Sequence, residues 1–119
     1  MRVAIIGSRQ VDDRIDSAIL RYLPAETTEI VSGGADGVDA AAARIAEELR
    51  IPLRVFLPDY ETYGRRAPLV RNEEIIDYAD EVLAFWDGES RGTQHAVVNC
   101  IQRGTPVRLI PLSIALKDR

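Results

Sequence analysis

Three short stretches carry the residues that could do chemistry in this chain. They are Gly7-Ser8-Arg9, the run Ser32-Gly33-Gly34-Ala35-Asp36-Gly37-Val38-Asp39, and the run Asp87-Gly88-Glu89-Ser90-Arg91-Gly92-Thr93. Each follows a run of strand-type residues, and the last two lead into helical patterns. A glycine-rich turn between strand and helix lets backbone N–H groups approach a ligand, and the helix dipole adds positive charge there. Such a turn suits a phosphate. Ser8, Ser32, Ser90 and Thr93 offer hydroxyls, Asn72 offers an amide, and Arg9 and Arg71 offer the planar fork that matches phosphate. The carboxylates Asp36, Asp39 and Asp87 do not suit phosphate. They would accept from ribose hydroxyls, polarise a water or cap a helix, and capping alone would account for Asp36 or Asp39 equally well. Phosphate, sugar and base together form a ligand that fits the mixture: a phosphorylated nucleoside.

Other chemistries find less support. Neither a GxGxxG fingerprint nor a GxxxxGK[ST] loop is present, so a standard dinucleotide site and a Walker ATPase are not indicated. One cysteine, Cys100, excludes an internal disulfide framework and a cysteine-rich metal site, and fits a cytoplasmic protein. It lies among Val97, Val98 and Ile101 and reads as a small core residue. His95 is the single histidine and reads as a packing or surface residue on its helix. No cluster has metal-ligand spacing, and no metal or cofactor is expected.

The elements that must position these residues follow from the apolar pattern. Arg2–Ile6, Glu29–Val31, Leu53–Leu57, Glu81–Trp86 and Pro106–Ile110 read as strands. Helices are expected over Val11–Leu23, from Val38 to Leu49, from Val70 to Ala79 and from Gly92 to Arg103. The stretch Pro58–Asn72 reads as irregular, and the residues after Ile110 as a tail. Near-continuous apolar strands separated by helices indicate a parallel sheet covered on both faces. The expected fold is α/β: a Rossmann-like, doubly wound, parallel five-stranded sheet in the order 3-2-1-4-5, in one domain over residues 1–119. In that order the three turns converge on one cleft beyond the carboxyl ends of the strands.

Bulk composition sets limits. The chain has 119 residues, 46% of them hydrophobic and 29% charged, which is the balance of a soluble protein. No apolar run approaches the ~20 residues of a membrane span. The net charge of −4 argues against sequence-independent binding to nucleic acid. Of the 15 basic residues only Lys117 is a lysine. A GC-rich genome would explain that bias as a whole, but not why Arg9, Arg65, Arg66, Arg71 and Arg91 all fall near turns.

Together SGGADGVD (Ser32–Asp39), PDYETYGRRAPLVRN (Pro58–Asn72) and AFWDGESRGT (Ala84–Thr93) resemble the SLOG superfamily. That group contains the cytokinin-activating LOG enzymes, the DNA-processing protein DprA and the YpsA-like proteins, and the likeness is to its small stand-alone members related to YpsA and YspA. The resemblance implies a nucleotide-binding domain. LOG enzymes release a base from nucleoside 5′-monophosphates with a PGGxGTxxE motif and an upstream arginine. Gly92-Thr93 matches the GT, and Arg71 resembles that arginine in placement. Glu89 and Ser90 replace the two glycines, and Ala96 stands where the glutamate would be. An alanine cannot orient a water, so hydrolysis of this type would need Asp36, Asp39 or Glu89 in its place. DprA shares the glycine-rich turn and binds single-stranded DNA, a function that draws on basic grooves and stacking aromatics. Tyr60 and Tyr63 are candidates to stack on a base, whereas Trp86 reads chiefly as core. SLOG proteins generally self-associate, and the apolar residues on more than one face of the AVVNCI helix point to a homodimer as well.

Overall fold

Strands β1 (Arg2–Gly7), β2 (Glu29–Ser32), β3 (Leu53–Val55), β4 (Glu81–Trp86) and β5 (Val107–Pro111) form one sheet in the computed structural model, which describes residues 1–117. All pairings are parallel and the order is β3-β2-β1-β4-β5, the doubly wound α/β arrangement expected from the apolar pattern. β1 lies between β2 and β4, with Val3 opposite both Ile30 and Glu81.

Side chains alternate across each strand and so feed two cores. Val3, Ile5, Ile30, Leu83 and Phe85 face helices α1 (Arg14–Tyr22) and α2 (Val38–Leu49). Ala4, Ile6, Val31, Val82 and Ala84 face α4 (Ala67–Tyr78) and α5 (Arg91–Arg103). Phe85, Leu83 and Ile5 are wholly buried, each worth roughly 1.5–3 kcal/mol in transfer terms. At the β3 edge, Arg54 lies over the rings of Phe56 and Tyr78, and Arg2 covers Tyr78 at 4.5 Å.

The structure departs from the sequence expectation at β3, which ends at Val55 and not at Leu57, and in four further places. Residues 11–13 precede α1, because Asp12 turns its carboxylate onto the Arg14 amide at 3.0 Å. The stretch after Pro58 is ordered as α3 (Tyr60–Tyr63), capped by Asp59, followed by a 3-10 turn at Gly64–Arg66. α4 then starts at Ala67, with Pro68 in the first helical turn where its missing N–H costs nothing. The residues after β5 form a short helix, α6 (Leu112–Ala115), which buries Leu112 and Ala115. Arg21 and Arg14 hold it, donating to the carbonyls of Ala115 at 2.6 Å and Leu116 at 2.7 Å. Among the described residues no helix is long and apolar enough to cross a membrane.

Candidate functional site

A cavity of about 440 Å³ opens beyond the carboxyl ends of β1, β2 and β4, within the size range of small-molecule sites. β1 contributes Gly7, Ser8 and Arg9, and the β2 turn contributes Gly33, Ala35 and Asp39. The β4 turn and α5 supply Asp87, Ser90, Gly92 and Thr93. Arg71 and Asn72 come in from α4. Residues far apart in sequence thus share one wall because parallel strands leave all their carboxyl ends on the same side.

Arg71 is the central cation. It is only 9% exposed, and its Nη1 donates to the Gly33 carbonyl at 2.5 Å while its Nε donates to Asn72 Oδ1 at 3.1 Å. Asn72 in turn donates to the Gly92 carbonyl at 3.4 Å. This short chain of bonds ties the β2 turn to the start of α5. A Cβ at Gly33 would lie 2.7 Å from Arg71 Nη1 and 2.9 Å from Asp39 Oδ2, so a larger residue there would displace one or both side chains.

Asp39, 7% exposed, turns its carboxylate back onto the glycine-rich turn and accepts from the Ala35 amide at 3.2 Å. Burial pushes its pKa up, opposed by the Ala35 amide, Arg71, the Gly33 amide and Arg9. Ser32 Oγ accepts from the Gly34 amide at 3.2 Å and donates to the Asp39 carbonyl at 3.3 Å, and the Val38 amide donates to the Ser8 carbonyl at 3.1 Å. The amides of Gly34, Ala35 and Val38 are therefore spent inside the protein. In effect the carboxylate of Asp39 is the anion held at the mouth of α2.

The opposite flank is built differently. Asp87 Oδ1 accepts from the amides of Ser90 and Glu89, both at 2.8 Å, and these bonds hold its carboxyl below the usual range. Ser90 caps α5 by accepting from the Thr93 amide at 3.4 Å, and its carbonyl accepts from Trp86 Nε1 at 2.9 Å. Among the described residues, the amides of Arg91 and Gly92 find no acceptor in the protein. The amides of Asp39 and Ala40 at the start of α2 likewise find no acceptor among the described residues, so both helix starts bring free amides near the cavity.

Five expected site residues stand outside the cavity lining. Ser32 sits beneath it, bonded as described. Gly34 faces Leu57 and Val55 on the β3 side, and Gly37 packs against the backbone of Ser8 and Arg9. Asp36 and Glu89 are exposed and do not reach the lining. Tyr60, 60% exposed, and Tyr63 likewise stay outside. Trp86 fixes the loop before α5 and does not line the cavity. His95 also lies elsewhere, its Nε2 3.1 Å from Asn99 Nδ2 and its buried Nδ1 without a partner among the described residues. Cys100 is buried, and its thiol is pushed up to about 11, so it is a poor nucleophile. Among the described residues no group of three or more His, Cys, Asp or Glu side chains could hold a metal ion.

Six further residues line the cavity that the turn motifs do not mark: Ile6, Gln10, Pro68, Leu69, Ile75 and Ala96. Helical spacing held the signal for two of them, since Ile75 lies one turn after Arg71 and Ala96 one turn after Thr93. Apart from Gln10 they form an apolar wall suited to a base.

Comparison with known proteins bears on this geometry. Residues 1–63 match the model of the YspA, cpYpsA-related SLOG family. The Gene 61 protein of Mycobacterium phage D29 is 34% identical, with 89% of this chain and 93% of that protein covered. DNA processing protein A of Helicobacter pylori, whose structure addresses single-stranded DNA binding, superposes with a TM-score of 0.72 at 23% identity. DprA of Streptococcus pneumoniae gives 0.77 at 19%. The matches cover 92% and 97% of this chain but only 64% and 54% of the two DprA chains, and at these identities the likeness is one of fold.

Proposed function

Since the chain belongs to the YspA, cpYpsA-related SLOG family, we propose that it binds a phosphorylated nucleoside or an ADP-ribose-like nucleotide in the cavity beyond β1, β2 and β4. The observation that carries this is the buried Arg71, held between the Gly33 carbonyl and Asn72 at the wall of that cavity. In this reading Arg71, Thr93 and the amide of Gly92 take the phosphate. Asp39 and Asp87 accept from the ribose, and Ile6, Ile75 and Ala96 back the base. Gly33 serves by leaving room for Arg71 and Asp39.

A thermal-shift panel of nucleoside monophosphates, NAD, ADP-ribose and cyclic nucleotides tests it. A ligand at 100 times its Kd adds about 2.7 kcal/mol of apparent stability. We expect a selective shift that Arg71→Ala abolishes and Arg65→Ala, outside the lining, leaves intact. A flat panel would overturn the reading.

Hydrolysis of an N-glycosidic bond is a second reading, favoured by one observation: of the three candidate acids, only Asp39 lines the cavity. Release of free base that Asp39→Asn eliminates would support it. DprA brings single-stranded DNA as a competing ligand, against which the net charge of −4 counts. Self-association belongs to the same proposal, supported by exposed Val98 and Ile101 on the outer side of α5.

A further inference from the structure

Behind the main cavity lies a second depression of about 420 Å³, between the starts of α1 and α6. The two share Gln10 and Asp87, so those side chains form the partition between them. The second depression is lined beyond them by Arg14, Ser113 and Lys117, with Leu112 and Leu116 as its apolar base. It is a fixed feature, because Arg14 is bound to Asp12 and to the Leu116 carbonyl, and Arg21 holds the Ala115 carbonyl.

We infer that this depression is a second subsite, which takes the sugar of the second unit of a nucleotide sugar or dinucleotide whose nucleoside phosphate lies in the main cavity. The inference rests on the nucleotide reading above and selects within it. Three features carry it. The two depressions adjoin, since Gln10 and Asp87 line both, and a ligand anchored in the first would extend past these side chains to enter the second. Asp87, its Oδ1 fixed by two amides, presents a carboxylate at the crossing. That carboxylate accepts from sugar hydroxyls, while Arg71 holds the phosphates on the main-cavity side; beyond the crossing Arg14 is already paired with Asp12, and Lys117 adds a charged donor for a sugar. Among the described residues no aromatic side chain lines the second depression, while Ser113, Lys117 and the Gln10 amide can donate hydrogen bonds. That set suits a hydroxylated sugar better than a base.

Titration calorimetry on the full chain tests this with two matched pairs, AMP with ADP-ribose and UMP with UDP-glucose, and with trithymidylate. The variants are Ser113→Trp, which fills the depression from an exposed position, and Lys117→Glu. We expect the two-unit member of at least one pair to bind tenfold or more tightly than its monophosphate. Ser113→Trp should erase that difference and leave the monophosphate within twofold, and Lys117→Glu should reduce it. Equal binding within both pairs, or a Ser113→Trp effect on monophosphate and two-unit ligand alike, would overturn the subsite while leaving the nucleotide reading standing. Tighter binding of trithymidylate than of either pair would assign the two cavities to a strand and overturn the small-molecule inference. No binding of any nucleotide would remove both readings together.

Discussion

Arg71 and Asp39 approach Gly33 closely enough that a larger residue there would displace one or both of them. Opposite charges share this wall, yet Asp39 is held chiefly by backbone amides, and its burial outweighs the help it receives. The consequence for stability has a definite sign. Asp39 has a folded pKa above its unfolded value of about 3.9, so the native state binds its proton more tightly. Stability is then lost as pH rises from about 3.9 through the raised value. Asp39→Asn removes that ionisation while keeping an acceptor for the Ala35 amide. We expect the variant to melt above the parent at pH 7, with the gap closing toward pH 4, and to lose nucleotide affinity at least tenfold. A gap that does not change with pH would show that Asp39 does not titrate in this way.

Among the elements, α2 and α6 show opposite dependences on local sequence. α2 opens at Gly37, with φ at +73°, packed so tightly on the backbone after β1 that a Cβ would come within 2.5 Å of the Ser8 carbonyl oxygen. Gly104 ends α5 with φ at +75° and has nothing within 4 Å of the same position. Gly104→Ala should therefore cost about 1 kcal/mol, the left-handed penalty alone. Gly37→Ala adds a clash with backbone and should cost about 3 kcal/mol or more in urea unfolding. α6 is only Leu112–Ala115 and too short to be stable by itself. Its place depends on Arg21 and Arg14 reaching its last carbonyls. Arg21→Ala should lower stability by about 1 kcal/mol and speed amide exchange at residues 112–116, with α2 unaffected. Unchanged exchange there would mean that the apolar contacts of Leu112 and Ala115 suffice.

For the whole molecule, the outer side of α5 and the edge strand β5 carry exposed apolar side chains. Ile101 is 69% exposed on α5, and Leu109 is exposed on the neighbouring edge strand β5. If this face joins two copies, Ile101→Asp should convert a dimer to a monomer in sedimentation velocity. Its secondary structure should be unaltered, since Ile101 contributes nothing to either buried cluster. A parent chain that sediments as a monomer would end the proposal of self-association.

Read alone, the sequence determined the sheet, its order and the side on which the cavity lies. Those follow from local features: continuous apolar runs make buried parallel strands, and the handedness of crossovers leaves few orders to choose from. The residue types at the turns also marked most of the cavity wall, including Ser8, Arg9, Arg71, Asn72 and Thr93. Tertiary structure alone decided how those residues are used. A glycine-rich turn looks the same in sequence whether its amides face a ligand or the protein, and here Asp39, Ser32 and the Ser8 carbonyl take those of Ala35, Gly34 and Val38 only because α2 turns back over the strand ends. The depression under α6 was equally invisible, since it depends on contacts from Arg14 and Arg21 to carbonyls 102 and 94 residues away in sequence. Pattern and propensity act over a few residues, whereas a carbonyl's partner is chosen by whatever the fold brings beside it.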